Sequence, residues 1–145
     1  MEVPDETALC IYISGCLNKC KECHYPELQS PDSGELLSVY FESMLDLYHE
    51  YITCVCFLGE GDLSSGSRGE LIEYLEQSHF KGYKCCLYSG RDIEIEKWMR
   101  CFEYIKLGSY KSELGSLSSI STNQRMFKRQ DSGEFIDITY RFLVE

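Results

Sequence analysis

Hydrophobic residues along the chain gather into short unbroken runs, and these runs alternate with longer stretches in which apolar residues recur at helical spacing. ALCIYIS (8–14) is β-branched and aromatic, stops at Gly15, and predicts a buried strand. SPDSG (30–34) has turn chemistry. From Glu35 onward Leu37, Tyr40, Phe41, Met44, Leu45 and Tyr48 fall on one helical face, so a helix is predicted there. ITCVCFL (52–58) predicts a second buried strand, ended by GEGD. Ser67 then reads as the cap of a second helix, with Glu70 completing a capping box and Leu71, Ile72 and Leu75 on its apolar side. YKCCLYS (83–89) predicts a third strand closed by Gly90. A short helix (93–101), a fourth strand YIKLG and a last strand within FIDITYRFL complete the pattern.

Strands alternating with helices predict βαβ units, hence an α/β fold with a mainly parallel sheet. No repeat or low-complexity segment divides the chain, so a single domain over residues 1–145 is expected. Ligands of such sheets sit beyond the carboxyl ends of the strands. The cysteine-rich GCLNKCKECHYPE (15–27), GEGD and the Ser89–Gly90 pair each follow a predicted strand directly, so the three converge on one edge.

Composition narrows the class. A hydrophobic fraction of 43% and an aromatic fraction of 13% suit a folded globule. The formal net charge of -10 repels phosphate backbones, which argues against a nucleic-acid partner. No apolar run approaches the ~20 residues of a membrane span. The first residues are acidic and lack the basic region of a secretory signal, so a cytoplasmic location is expected. In that reducing setting the nine cysteines read as buried thiols or metal ligands, not disulfides.

Cys16, Cys20 and Cys23 form C-x3-C-x2-C in a polar loop with Asn18, Lys19, Lys21 and Glu22. Three thiolates at this spacing wrap three corners of a [4Fe-4S] cubane and leave one iron open. The competing reading is a Cys3His zinc site using His24. Cys23 and His24 are adjacent, an awkward pair for one small tetrahedral ion. The other six cysteines read as structural: Cys54 and Cys56 share one strand face, Cys85 and Cys86 take opposite faces, and Cys10 and Cys101 lie in a strand and at a helix end. His49, near a helix end, and His79, before Phe80, also read as structural.

The motif after the first strand resembles the radical S-adenosylmethionine (SAM) superfamily. GCLNKCKECHYPE in particular is similar to the small activating proteins of anaerobic ribonucleoside-triphosphate reductase. The stretch 104–128, in which a small-polar run ends in Asn123-Gln124-Arg125, resembles the closing segment of that family. Two departures stand out: Glu22 occupies a place that is often aromatic, and GEGD replaces the family's G-G-E/D-P. Gly61 thus falls where the family has its acid, flanked by Glu60 and Asp62.

The resemblance implies an incomplete (βα) barrel of radical SAM type, with a mainly parallel curved sheet. It implies a [4Fe-4S] cluster on Cys16, Cys20 and Cys23, and SAM as second cofactor, contacted by Glu22, Cys23, His24, Gly59, Glu60, Gly61, Asp62 and Ser89. The SAM amino group would fall to Glu60, to Asp62 or to backbone carbonyls. One electron from the cluster would split SAM, and the resulting 5′-deoxyadenosyl radical would take a hydrogen from a glycine of the reductase. No catalytic side chain is required, because the cofactors carry the chemistry. The implied partners are the glycyl radical subunit of that reductase and a low-potential electron donor such as a flavodoxin. Another small radical SAM enzyme, or a non-catalytic metal-binding module with a fourth ligand, stays open as an alternative.

Overall fold

A computed structural model describes residues 1–15, 30 and 34–143. Its elements run β1 (Ala8–Tyr12), α1 (Leu37–Tyr48), β2 (Cys54–Leu58), α2 (Ser65–Phe80), β3 (Lys84–Tyr88), β4 (Tyr104–Leu107), β5 (Arg125–Arg129) and β6 (Phe135–Asp137). Two 3-10 turns, Lys97–Cys101 and Thr139–Phe142, precede β4 and follow β6. The strands lie side by side in chain order, β1-β2-β3-β4-β5-β6. The first four are parallel, and β5 and β6 add on antiparallel. The result is a mixed α/β sheet whose parallel half carries the helical connections, as the alternation predicts.

The register sorts the strand side chains onto two faces. Val55, Phe57, Cys85, Leu87 and Ile105 face Phe41 and Leu45 of α1 and Leu71, Tyr74 and Leu75 of α2. Phe41, Phe57 and Tyr74 meet ring against ring, with centroids 4.7 to 6.5 Å apart. Burial of each such side chain contributes on the order of 1.5–3 kcal/mol. The opposite face is built from small groups, Cys54, Cys56 and Cys86, beside Tyr104 and Met126, and is covered by Val3, Leu117, Ile138 and Phe142. Cys10, Cys56 and Cys86 are register partners across three strands, so their thiols line up in a row on this face.

Several local expectations shift. The cap of α2 is Ser64, whose Oγ accepts the Ser67 amide at 3.1 Å; Ser67 is inside the helix. Of the apolar positions in α1, Phe41 and Leu45 are buried, while Tyr40 and Tyr48 stay exposed. The helix expected over 93–101 is a single 3-10 turn beginning at Lys97. The expected last strand shrinks to β6, and β5 appears where a polar stretch was read. No helix among the described residues is long and apolar enough to cross a membrane.

Candidate metal-cluster site

The carboxyl ends of β1 to β4 are knitted into one edge by backbone bonds. The Ile13 amide donates to Leu58, that of Gly59 to Tyr88, that of Ser89 to Lys106, and that of Gly108 to Arg91, at 2.7 to 3.0 Å. At this edge β1 exits through Gly15 in the left-handed region, with φ 83°. The cysteine motif begins at the next residue; Cys16, Cys20, Glu22, Cys23 and His24 lie outside the described residues.

Beside that exit the GEGD turn needs both of its glycines. Gly59 has φ 123° and Gly61 φ 67°. A Cβ on Gly59 would stand 3.1 Å from the Ile13 carbonyl oxygen, so only glycine lets the β1 and β2 exits approach this closely.

Glu60 points inward. Its side chain is 4% exposed and bidentate to Arg91: Nη2 reaches Oε1 at 2.6 Å and Nε reaches Oε2 at 2.9 Å. Ser89, itself buried, donates Oγ to Oε2 at 2.6 Å and accepts the Arg91 amide. Three of roughly four acceptor positions on the carboxylate are therefore filled by the protein itself. Arg91 also bridges to Glu96, which accepts the Trp98 indole N–H at 2.9 Å. These bonds hold the guanidinium charged, first through Glu60 and then through Glu96. Sequence reasoning missed Arg91, although an arginine two residues past Ser89 beside a glutamate-bearing turn was visible.

Asp62 sits at the surface and orders the start of α2. Its Oδ1 accepts the Ser64 amide at 3.0 Å and the Ser67 hydroxyl at 2.6 Å. The Ser64 side chain first, then the Ser67 hydroxyl and the Ser64 amide, pull its carboxyl down to about 2. The edge thus has two acids of different kinds, one buried and paired with Arg91, the other charged and exposed.

The amides of the Asn123-Gln124 stretch satisfy a bend. Asn123 Nδ2 donates to the Ser109 carbonyl at 3.0 Å and Gln124 Nε2 to that of Gly108 at 3.3 Å. Arg125 is exposed and lies 3.7 Å from Asp137. His49 closes α1, Nδ1 being 2.7 Å from the Asp46 carbonyl, and His79 pairs with Glu103.

The donor chemistry tests whether this chain fits an iron-sulfur cluster. Cys54, Cys56, Cys85 and Cys86 are fully buried in strands. Desolvation raises their thiols, that of Cys85 to about 12, so in the metal-free chain they stay protonated. Cys10 is likewise raised, first by its bond to Cys56 and then by burial, and Cys101 is raised by burial. Six of the nine cysteines are thereby placed in the packed sheet or its flank, and the other three, Cys16, Cys20 and Cys23, follow Gly15 in the sequence outside the described residues. Three thiolates fit an iron-sulfur cluster.

The fold defines a mixed α/β protein with a six-stranded, partly parallel sheet. A family model for the 4Fe-4S single cluster domain matches residues 6–126, and the chain belongs to that family. The match begins before β1 and ends in β5, so it spans Cys16, Cys20 and Cys23 and the whole parallel part of the sheet. No curated protein and no solved structure matches the chain.

Proposed function

We propose that this protein is a radical SAM activase, which uses its cluster to generate a glycyl radical on anaerobic ribonucleoside-triphosphate reductase. The observation that carries the reading is the thiol motif: three closely spaced cysteines soon after β1 in the sequence of a chain that belongs to a 4Fe-4S family. The sheet is read as part of an incomplete (βα) barrel whose carboxyl edge receives SAM.

Cys16, Cys20 and Cys23 would hold the cluster, leaving one iron for the methionyl group of SAM. When bound, the cluster supplies one electron for reductive cleavage of the sulfonium. The chain's own residues position and shield. Gly59 keeps the β2 exit close against Ile13. Glu60, held by Arg91 and Ser89, fixes the turn's shape, so its charge is already answered. Asp62, exposed at the surface, offers its carboxylate to an amino group. The glycyl radical subunit of the reductase is the partner in this reading, and a flavodoxin-type donor the source of electrons.

The test is anaerobic reconstitution followed by SAM and dithionite. About four irons per chain and release of 5′-deoxyadenosine support the reading. Zinc in place of iron, with no cleavage, removes it. Mixing with the cognate reductase should then give a glycyl radical signal in electron paramagnetic resonance. SAM cleavage with a silent spectrum would reassign the protein to another small radical SAM activity.

A further inference from the structure

We propose that His79, Cys85 and Glu103 form a binding site for a divalent transition-metal ion of the zinc type, separate from the cluster loop. The three residues come from different segments: the last turn of α2, the second position of β3 and the residue leading into β4. One donor atom from each, an imidazole nitrogen, a thiol sulfur and a carboxylate oxygen, lies within 4.8 Å of the other two. His79 Nε2 is 2.7 Å from Glu103 Oε1 and 3.1 Å from Oε2.

Nitrogen, sulfur and oxygen in one small cluster is a donor set that zinc accepts, with bonds of about 2.0–2.3 Å. Around a tetrahedral ion such donors stand roughly 3.3–3.8 Å apart. Hence the His79–Glu103 pair has to open by only about half an ångström, and Cys85 Sγ has to turn inward from a weak bond to the Leu75 carbonyl at 3.9 Å. The surroundings already orient the ligands. The Cys85 amide donates to Glu103 Oε2 at 2.9 Å, holding the carboxylate beside its own thiol, and Arg129 approaches Oε1 at 3.8 Å. Such outer contacts are what fix metal ligands in place.

Access agrees as well, and the three donors leave the fourth position of a tetrahedral ion to water. The His79 and Glu103 side chains are 33% and 22% exposed, so an ion enters from solvent, while Cys85 is buried behind them. Along β3 the site stands four residues from Ser89, about 13 Å from the carboxyl edge. It therefore does not share ligands with GEGD or Ser89. The function it serves is a clasp joining the end of α2 to the start of β3 and β4.

The test uses the full chain with Cys16, Cys20 and Cys23 replaced by serine, so that the loop thiols do not compete, titrated with Co2+ under anaerobic conditions. One Co2+ per chain is expected, with visible bands of a tetrahedral ion and a thiolate-to-cobalt charge-transfer band that Zn2+ displaces. Cys85→Ser should diminish that band, and His79→Gln and Glu103→Gln should each weaken affinity roughly 10–100-fold while the circular dichroism stays unchanged. Absence of the charge-transfer band, or unaltered affinity in His79→Gln, overturns the proposal and leaves a plain His–Glu ion pair. If the loop variant does not fold, zinc K-edge absorption on the cluster-loaded wild-type chain decides instead. A mixed nitrogen, oxygen and sulfur shell that disappears in His79→Gln supports the site, and no bound zinc overturns it.

Discussion

Removing the Arg91 guanidinium, by Arg91→Ala, leaves the Glu60 carboxylate in a pocket where it is only 4% exposed. Two of its three hydrogen bonds vanish, and the remaining one comes from Ser89. Breaking a buried pair from one side costs about 3–5 kcal/mol, since the orphaned charge stays out of water. The lower end applies here, because Arg91 is itself 20% exposed and water can enter where it stood. At about 2–4 °C per kcal/mol for a domain near this size, a cost of about 3 kcal/mol lowers the melting temperature by roughly 6–12 °C. Arg91→Lys should recover only part of this, since an ammonium cannot span both carboxylate oxygens. Arg91→Met with Glu60→Gln, which removes both charges, should recover more than either single change predicts. The assay is thermal unfolding of the cluster-free chain followed by circular dichroism. A fall of less than about 2 °C in Arg91→Ala would refute the claim that this pair fixes the edge. As an internal control, Arg141→Ala breaks a comparable fork to Asp5 at the surface and should move the midpoint far less.

Other consequences are equally open to measurement. Gly59→Ala places a Cβ 3.1 Å from the Ile13 carbonyl at φ 123°, and should cost about 1–3 kcal/mol by urea unfolding, with the β1 exit displaced. The Asp62 carboxyl is held at about 2 against a usual 3.8, so its contribution is complete above the higher value and lost as pH falls toward the lower. Asp62→Asn should therefore show a shallower loss of stability between these values than the parent does. Cys54, Cys56, Cys85 and Cys86, fully buried with raised thiols, should resist iodoacetamide in the native chain and label only on unfolding, as read by peptide mass spectrometry. Rapid native labelling of Cys56 would mean that the small-residue face is open to solvent.

The parallel half of the sheet was legible because its strands are continuous apolar runs. CVCFL in β2 is buried on both faces and ended by glycine, so nothing in the pattern competed with that assignment. β5 was missed for the opposite reason. In RMFKR three of five residues are cationic, and their place in the sheet depends on distant partners. Lys128 lies over the Tyr104 ring at 5.8 Å, and Arg129 donates to the Arg100 carbonyl at 2.7 Å. The second helix was found but entered at the wrong serine, since Ser64, Ser65 and Ser67 offer three capping hydroxyls and only the turn at Gly61 selects among them.

At the site, the glycines of GEGD and the nearness of Ser89 could be read from their positions after strands. The division of labour between Glu60 and Asp62 could not. It rests on Arg91, a residue 31 positions from Glu60 in the chain, whose fork decides which acid is neutralised. The split of Cys85 and Cys86 between faces followed from strand alternation, whereas the row Cys10–Cys56–Cys86 required the register.

The most direct measurement of the central claim is electron-nuclear double resonance on the reduced, reconstituted protein with SAM labelled by 15N at its amino group and 17O at its carboxylate. Hyperfine coupling to both nuclei is predicted, because three cysteines leave one iron for the cofactor. Absence of either coupling, together with evidence for a fourth donor supplied by the protein, would contradict the account.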